Sequence, residues 1–95
     1  MAVHTPGHTT GHVCFWLESR GVLVVGDLLC TLNPLTGRRG PQLLPRAFNL
    51  SSGTMLDSLS AIEGLDAGVI VFGHGEPWTA GAAEAVRVAR ATGPT

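Results

Sequence analysis

A layered α/β domain, ordered hairpin, long loop, helix, strand, helix, is predicted by three observations. Two short apolar runs, Val22 to Val25 (VLVV) and Ala67 to Phe72 (AGVIVF), have the length and β-branched content of buried strands. Two other stretches place Met55, Leu56, Leu59 and Ile62, then Ala82, Ala85, Val86 and Ala89, at helical spacing. Helical and strand periods alternate along the second half of the chain, which is the pattern of one layered α/β unit.

The elements follow in order. After a short lead, Thr5-Pro6-Gly7 reads as a turn in which Gly7 is free to take positive φ. His12 to Glu18 (HVCFWLE) is β-branched and aromatic and reads as a strand. Ser19-Arg20-Gly21 turns it into VLVV, making a hairpin. VLVV is apolar at every position, so burial on both faces is expected. From Cys30 to Ser52 three prolines, two glycines and Arg38-Arg39 read as irregular loop, and a loop this long is often functional. Ser51 or Ser52 is placed to cap a helix from about Gly53 to Glu63. The strand Ala67 to Phe72 follows. Thr79 is then placed to cap a last helix, Ala80 to about Ala91.

Composition narrows the function. Ninety-five residues allow one domain or less. With 44% hydrophobic and 14% charged residues, the chain is too apolar to be disordered. A net charge of −1 gives no reason to expect nucleic acid or an anionic membrane as partner. No apolar stretch approaches the ~20 residues that cross a bilayer, and no signal peptide is read at the N-terminus. Cys14 and Cys30 lack the spacing of a disulfide framework, so a reduced, cytoplasmic protein is expected.

The chemistry lies in Thr5-Pro6-Gly7-His8-Thr9, Val25-Gly26-Asp27 and Phe72-Gly73-His74-Gly75. His8, Asp27 and His74 are each read as lying at or just beyond the end of a strand, where side chains can converge on a metal. Two imidazoles and a carboxylate suit zinc or non-haem iron. Each residue also has a plainer reading: His8 as a turn histidine bonded to backbone, Asp27 as a strand terminator, His74 as a loop residue where space is tight. A carboxylate beside a fully apolar strand needs compensation, and glycine on both sides of His74 signals close approach; both favour the metal reading. His12 opens a strand and reads as a hydrogen-bonding support for the ligands rather than as a ligand. His4 reads as structural, Trp16 and Trp78 as packing residues, and Cys30 as a buried thiol. Arg38 and Arg39 read as a solvated loop, with reception of an anionic substrate as the alternative.

HTPGHTTGH, then Gly-Asp after a hairpin, then Gly-His-Gly after a later strand resemble the metallo-β-lactamase superfamily, which includes glyoxalase II, ribonuclease Z, lactonases and iron-dependent persulfide dioxygenases. The resemblance covers the C-terminal half of that αββα sandwich. It implies that His8 is the ligand in the third metal motif, Asp27 the carboxylate bridging two metals, and His74 the last ligand, on the second metal. Asp27, in place of the cysteine of the classical zinc β-lactamases, points towards the glyoxalase II-like or ribonuclease Z-like branches. The implied activity is hydrolysis of a thioester, ester, lactone or phosphoester by metal-bound hydroxide. The implied cofactor is zinc, two ions in the complete family site, with iron as an alternative.

The family's His-x-His-x-Asp-His stretch does not occur in the chain. Residues 1–95 are therefore expected to form a partial domain, with a small-molecule substrate only once the site is completed. They are also expected to expose an inner sheet face, and so to pair with a missing N-terminal half, form a homodimer or aggregate. The position of Met1, just before the third motif, suggests a truncated gene, a misassigned start codon or a split protein. Two other readings stay open: a non-catalytic interaction module built on this fold, and a relative of the mono-iron dioxygenases.

Overall fold

The structure is a computed structural model and describes residues 1–94. Its strands are β1 (Ala2–His4), β2 (Val13–Leu17), β3 (Val22–Gly26), β4 (Cys30–Leu32), β5 (Arg39–Gln42) and β6 (Val69–Phe72); its helices are α1 (Ser52–Ser58) and α2 (Ala82–Thr92). A four-stranded sheet runs β1-β2-β3-β6, and β4 and β5 form a separate two-stranded ribbon. The β1–β2 and β2–β3 pairs are antiparallel, while β3 and β6 are parallel. Two antiparallel steps make β1 run the same way as β3. Thus β1, β3 and β6 all end at one edge of the sheet, and β2 begins there.

The mixed α/β architecture is as expected, with both helices on one face of the sheet. Cys14, Trp16, Leu23, Val25, Ile70 and Phe72 point to that face. They pack with Met55, Leu59, Ile62, Ala82, Ala85, Val86 and Ala89 in one buried cluster. Burial on both faces of the apolar strands is not observed. Leu23 and Val25 are fully buried, but Val22 and Val24 are only half-covered. On the same side Phe15 is 51% and Val71 37% exposed, so one sheet face is apolar and open.

Local differences from the sequence reading have physical causes. The lead is a strand, because its backbone pairs with β2 from Ala2–Phe15 to His4–Val13. The supposed loop after Cys30 contains the β4–β5 ribbon, held largely by side-chain amides. Asn33 Oδ1 accepts the N–H groups of Leu35 and Thr36, while Gln42 Nε2 donates to the carbonyls of Arg38 and Gly40. These bonds let a stretch rich in proline and glycine fold back and bury Leu28, Leu29, Leu43 and Leu44. Ser51 caps α1 as expected, accepting from Thr54 N–H at 3.1 Å. The helix then tightens into a 3-10 turn, Leu59–Ala61, which keeps Leu59 and Ile62 on one side at i, i+3 spacing. Thr79 is not a cap: α2 starts later, from Gly81, whose carbonyl accepts the Trp78 indole N–H at 3.0 Å.

Candidate metal centre

The topology brings the three motif residues together. His8 lies in the turn after β1, Asp27 directly follows β3, and His74 lies just past β6. Asp27 sits between the two histidines. His8 Nε2 is 3.3 Å from Asp27 Oδ2, and His74 Nδ1 is 3.5 Å from Asp27 Oδ1. Side-chain exposures of 21% for His8, 38% for Asp27 and 49% for His74 leave this edge reachable by a substrate.

Each side chain is aimed by its surroundings. The turn bearing His8 is fastened to α1: Ser51 N–H donates to the Gly7 carbonyl at 2.8 Å, and the Ser58 hydroxyl donates to the Pro6 carbonyl at 2.8 Å. His8 Nδ1 is 3.2 Å from Asn49 Oδ1. Asn49 directs that oxygen by donating from Nδ2 to the Leu44 carbonyl and to Ser52 Oγ. Nδ1 therefore carries a proton, and Nε2 faces Asp27. Sequence reasoning missed Asn49, which is 41 residues away and carries no local signal. His74 is anchored through its carbonyl, which accepts Thr31 N–H at 3.0 Å. Gly73 lets its loop close on the carboxylate, since a Cβ there would sit 2.8 Å from Asp27 Oδ1.

The donor set fits metal. A lone pair on His8 Nε2 pointing at a carboxylate oxygen is repulsive unless a cation, a proton or a metal ion, is shared between them. Two ligands about 2 Å from one tetrahedral metal lie about 3.3 Å apart, which matches the His8–Asp27 separation. Each carboxylate oxygen of Asp27 has one imidazole beside it, so each half of the arrangement offers two ligands. Among the described residues no group of three or more His, Cys, Asp or Glu converges to hold one ion.

The remaining candidates are placed as follows. His12 Nε2 accepts the Asp27 backbone N–H at 3.3 Å, and its Nδ1 is 2.9 Å from Thr5 Oγ1. Partial burial lowers the His12 pKa, opposed by its hydrogen bonding to Thr5. His4 lies apart, with Nε2 donating to the Thr10 carbonyl. Arg38 is exposed, while Arg39 lines a cleft of about 180 Å³ with Thr31, Glu76 and Trp78.

Cys14 and Cys30 are free and fully buried. Burial, reinforced by the nearby Asp27 charge, pushes the Cys30 thiol up to about 11, and burial also raises Cys14. The reactive species is the thiolate. In the native protein at pH 8 both thiols are expected to resist a colorimetric disulfide reagent, and both are expected to react once urea is added. Rapid native labelling would show that this core is open. Because the folded state holds the Cys30 proton more tightly, this group's stabilising effect declines as pH rises from 9 towards 11.

Among the described residues no helix is long and apolar enough to cross a membrane. Residues 1–74 match the family model of the Metallo-beta-lactamase superfamily. The chain is 36% identical over 73 residues to a hydroxyacylglutathione hydrolase of Rhodospirillum rubrum, covering 76% of this chain and 25% of that protein. It is 31% identical over 85 residues to a probable metallo-hydrolase of Bacillus subtilis, covering 83% of this chain and 32% of that one. A crystal structure of a metallo-beta-lactamase family protein from Thermus thermophilus superposes with a TM-score of 0.65 and 29% identity, over 96% of this chain and 29% of the other. The chain thus spans about a quarter to a third of the proteins it resembles. With its fold, its motif order and these matches in agreement, the chain belongs to the metallo-β-lactamase superfamily.

Proposed function

We propose that residues 1–95 form the His8–Asp27–His74 portion of a metal-dependent hydrolase acting on a thioester, ester, lactone or phosphoester. The observation that carries this reading is the Asp27 carboxylate with a histidine nitrogen beside each oxygen. A thioester is favoured, because the similar proteins named hydroxyacylglutathione hydrolase are named for such a compound.

His8 and Asp27 would hold one metal, and Asp27 and His74 the other. Zinc is the proposed ion, and the donor set also accepts iron. When bound, paired metals supply acidification of a shared water and stabilisation of a developing oxyanion. The protein's own residues do the positioning. Asn49 fixes the ring of His8 so that Nε2 faces inward. Asp27 presents one oxygen to each side and holds the two halves in register. Gly73 allows the His74 loop to approach without displacing the carboxylate.

Two ligands on each side are fewer than the three protein ligands of ordinary catalytic zinc. The reading therefore takes the remaining ligands from polypeptide outside these residues, either more of the same protein or a second copy. The open apolar sheet face offers a seat for it. Two free buried thiols favour a reducing, cytoplasmic setting.

The test uses the protein isolated from its source, assayed against one compound of each ester class with and without chelator. Hydrolysis lost on chelation and restored by zinc is the expected result. Turnover that survives full metal removal overturns the reading. Oxygen consumption with iron and no hydrolysis replaces it with the dioxygenase alternative.

A further inference from the structure

Asp27 lies just where the sheet stops supporting the chain. The β2–β3 ladder pairs Leu17 with Val22 and Phe15 with Val24. Continuing that register puts Val13 opposite Gly26 and His12 opposite Asp27. The β3–β6 pairing is irregular between Val24 and Gly26. On the β6 side the last main-chain bond is from Gly73 N–H to the Gly26 carbonyl, at 3.0 Å. On the β2 side no backbone acceptor takes the Asp27 N–H, and the His12 side chain takes it instead.

The proton pattern around His12 is determined. Because Asp27 N–H donates to Nε2, that nitrogen is unprotonated and Nδ1 carries the hydrogen. Nδ1–H then donates to Thr5 Oγ1 at 2.9 Å. The Thr5 hydroxyl, having accepted, is free to donate towards Cys14 Sγ, 3.4 Å away. Thr5 is fully buried, and its own N–H donates to the His12 carbonyl at 2.9 Å, so the two residues are tied by main chain as well. The result is a hydrogen-bonded chain, Asp27 N–H to His12 to Thr5 and on to Cys14, that runs from the candidate site into the core.

We infer that His12 is a positioning residue: as the Nδ1–H tautomer, fixed by Thr5, it holds the Asp27 backbone so that the carboxylate meets His8 and His74. This rests on the reading of Asp27 as a metal ligand. It assigns no ligand role to His12, whose two ring nitrogens are both engaged. It also gives a role to Thr5, which no local sequence signal marks.

The experiment has two arms on the full chain. The first reads the His12 ring nitrogens by ¹⁵N NMR without metal. An Nδ1–H tautomer is expected in the unmutated protein, and a mixture with Nε2–H in Thr5→Val. An Nε2–H tautomer in the unmutated protein overturns the inference. The second titrates zinc against the protein and its variants. His12→Leu, which keeps bulk but offers no acceptor, should weaken zinc binding about 10- to 100-fold, the range for supports of metal ligands. His12→Gln, whose amide oxygen can accept the Asp27 N–H, should recover most of the loss. Unchanged affinity in His12→Leu, or equal loss in both variants with the fold intact by circular dichroism, overturns it. If His12→Leu does not fold, the tautomer and His12→Gln decide. Failure of the unmutated protein to bind zinc would sink the metal reading, and the first arm would still judge the hydrogen-bond chain.

Discussion

Replacing Asp27 with alanine is expected to lower kcat/KM of the hydrolytically competent protein by at least about a thousandfold, since several kcal/mol of metal-dependent charge stabilisation is at stake. The size follows from position. Asp27 has His8 beside one carboxylate oxygen and His74 beside the other, so under the proposed function its loss removes one donor from each half of the site. Asp27→Asn should do little better, because an amide offers one neutral oxygen where two charged ones stood. Neither change should unfold the protein: the side chain is 38% exposed, and the Asp27 backbone keeps its bond to His12. Thermal melting checks that the fold survives while steady-state kinetics and metal content fall together. Activity within tenfold of the parent in Asp27→Ala would remove Asp27 from the site.

A large effect on stability is expected at Gly7. Its φ of +139° is disfavoured for any residue with a side chain. A Cβ there would overlap Met55 Cγ and stand 2.6 Å from the Met55 backbone nitrogen. Met55 is fully buried in α1, and that backbone cannot yield without shifting the helix. Gly7→Ala should therefore cost about 3 kcal/mol or more, combining backbone strain with overpacking, a large share of the ~5–15 kcal/mol that holds a typical domain together. Gly11→Ala is the control: nothing lies within 4 Å of a Cβ there, and its φ is not positive. Urea midpoints of the two variants should separate widely. Coincident midpoints would show that the His8 turn does not dock on α1 as described.

How far the sequence revealed this arrangement depended on the range of each interaction. The apolar stripe of α2 was readable because Ala82, Ala85, Val86 and Ala89 obey one helical period, and all four are buried. The cap at Ser51 and the positive φ of Gly7 were readable because their cause lies within a few residues. The β4–β5 ribbon was not. Its punctuation by Pro34, Gly37 and Pro41 reads as loop, and the compensating amides of Asn33 and Gln42 act only once the ribbon has formed. The strand at Ala2–His4 was missed because a three-residue run has no period of its own and exists through pairing with β2.

The site shows the same division. His8, Asp27 and His74 were legible as motifs, and shared strand direction explains their meeting: three strand ends at one edge converge whatever lies between them in sequence. Asn49 and Thr5 were not legible. Asn49 reaches His8 through the ribbon and a turn, and Thr5 reaches Cys14 across a hairpin. The open sheet face follows from the same strands: apolar residues on both faces require two packed layers, and the helices of this chain cover one.

The most direct test of the account is a zinc titration of ¹⁵N-labelled protein, following the ring nitrogens of all four histidines. His8 Nε2 and His74 Nδ1 should shift together as zinc is added, His4 should stay still, and Asp27→Ala should abolish both responses. Rings of His8 and His74 that ignore zinc, or that respond equally in Asp27→Ala, would contradict the claim that these three residues form a metal centre.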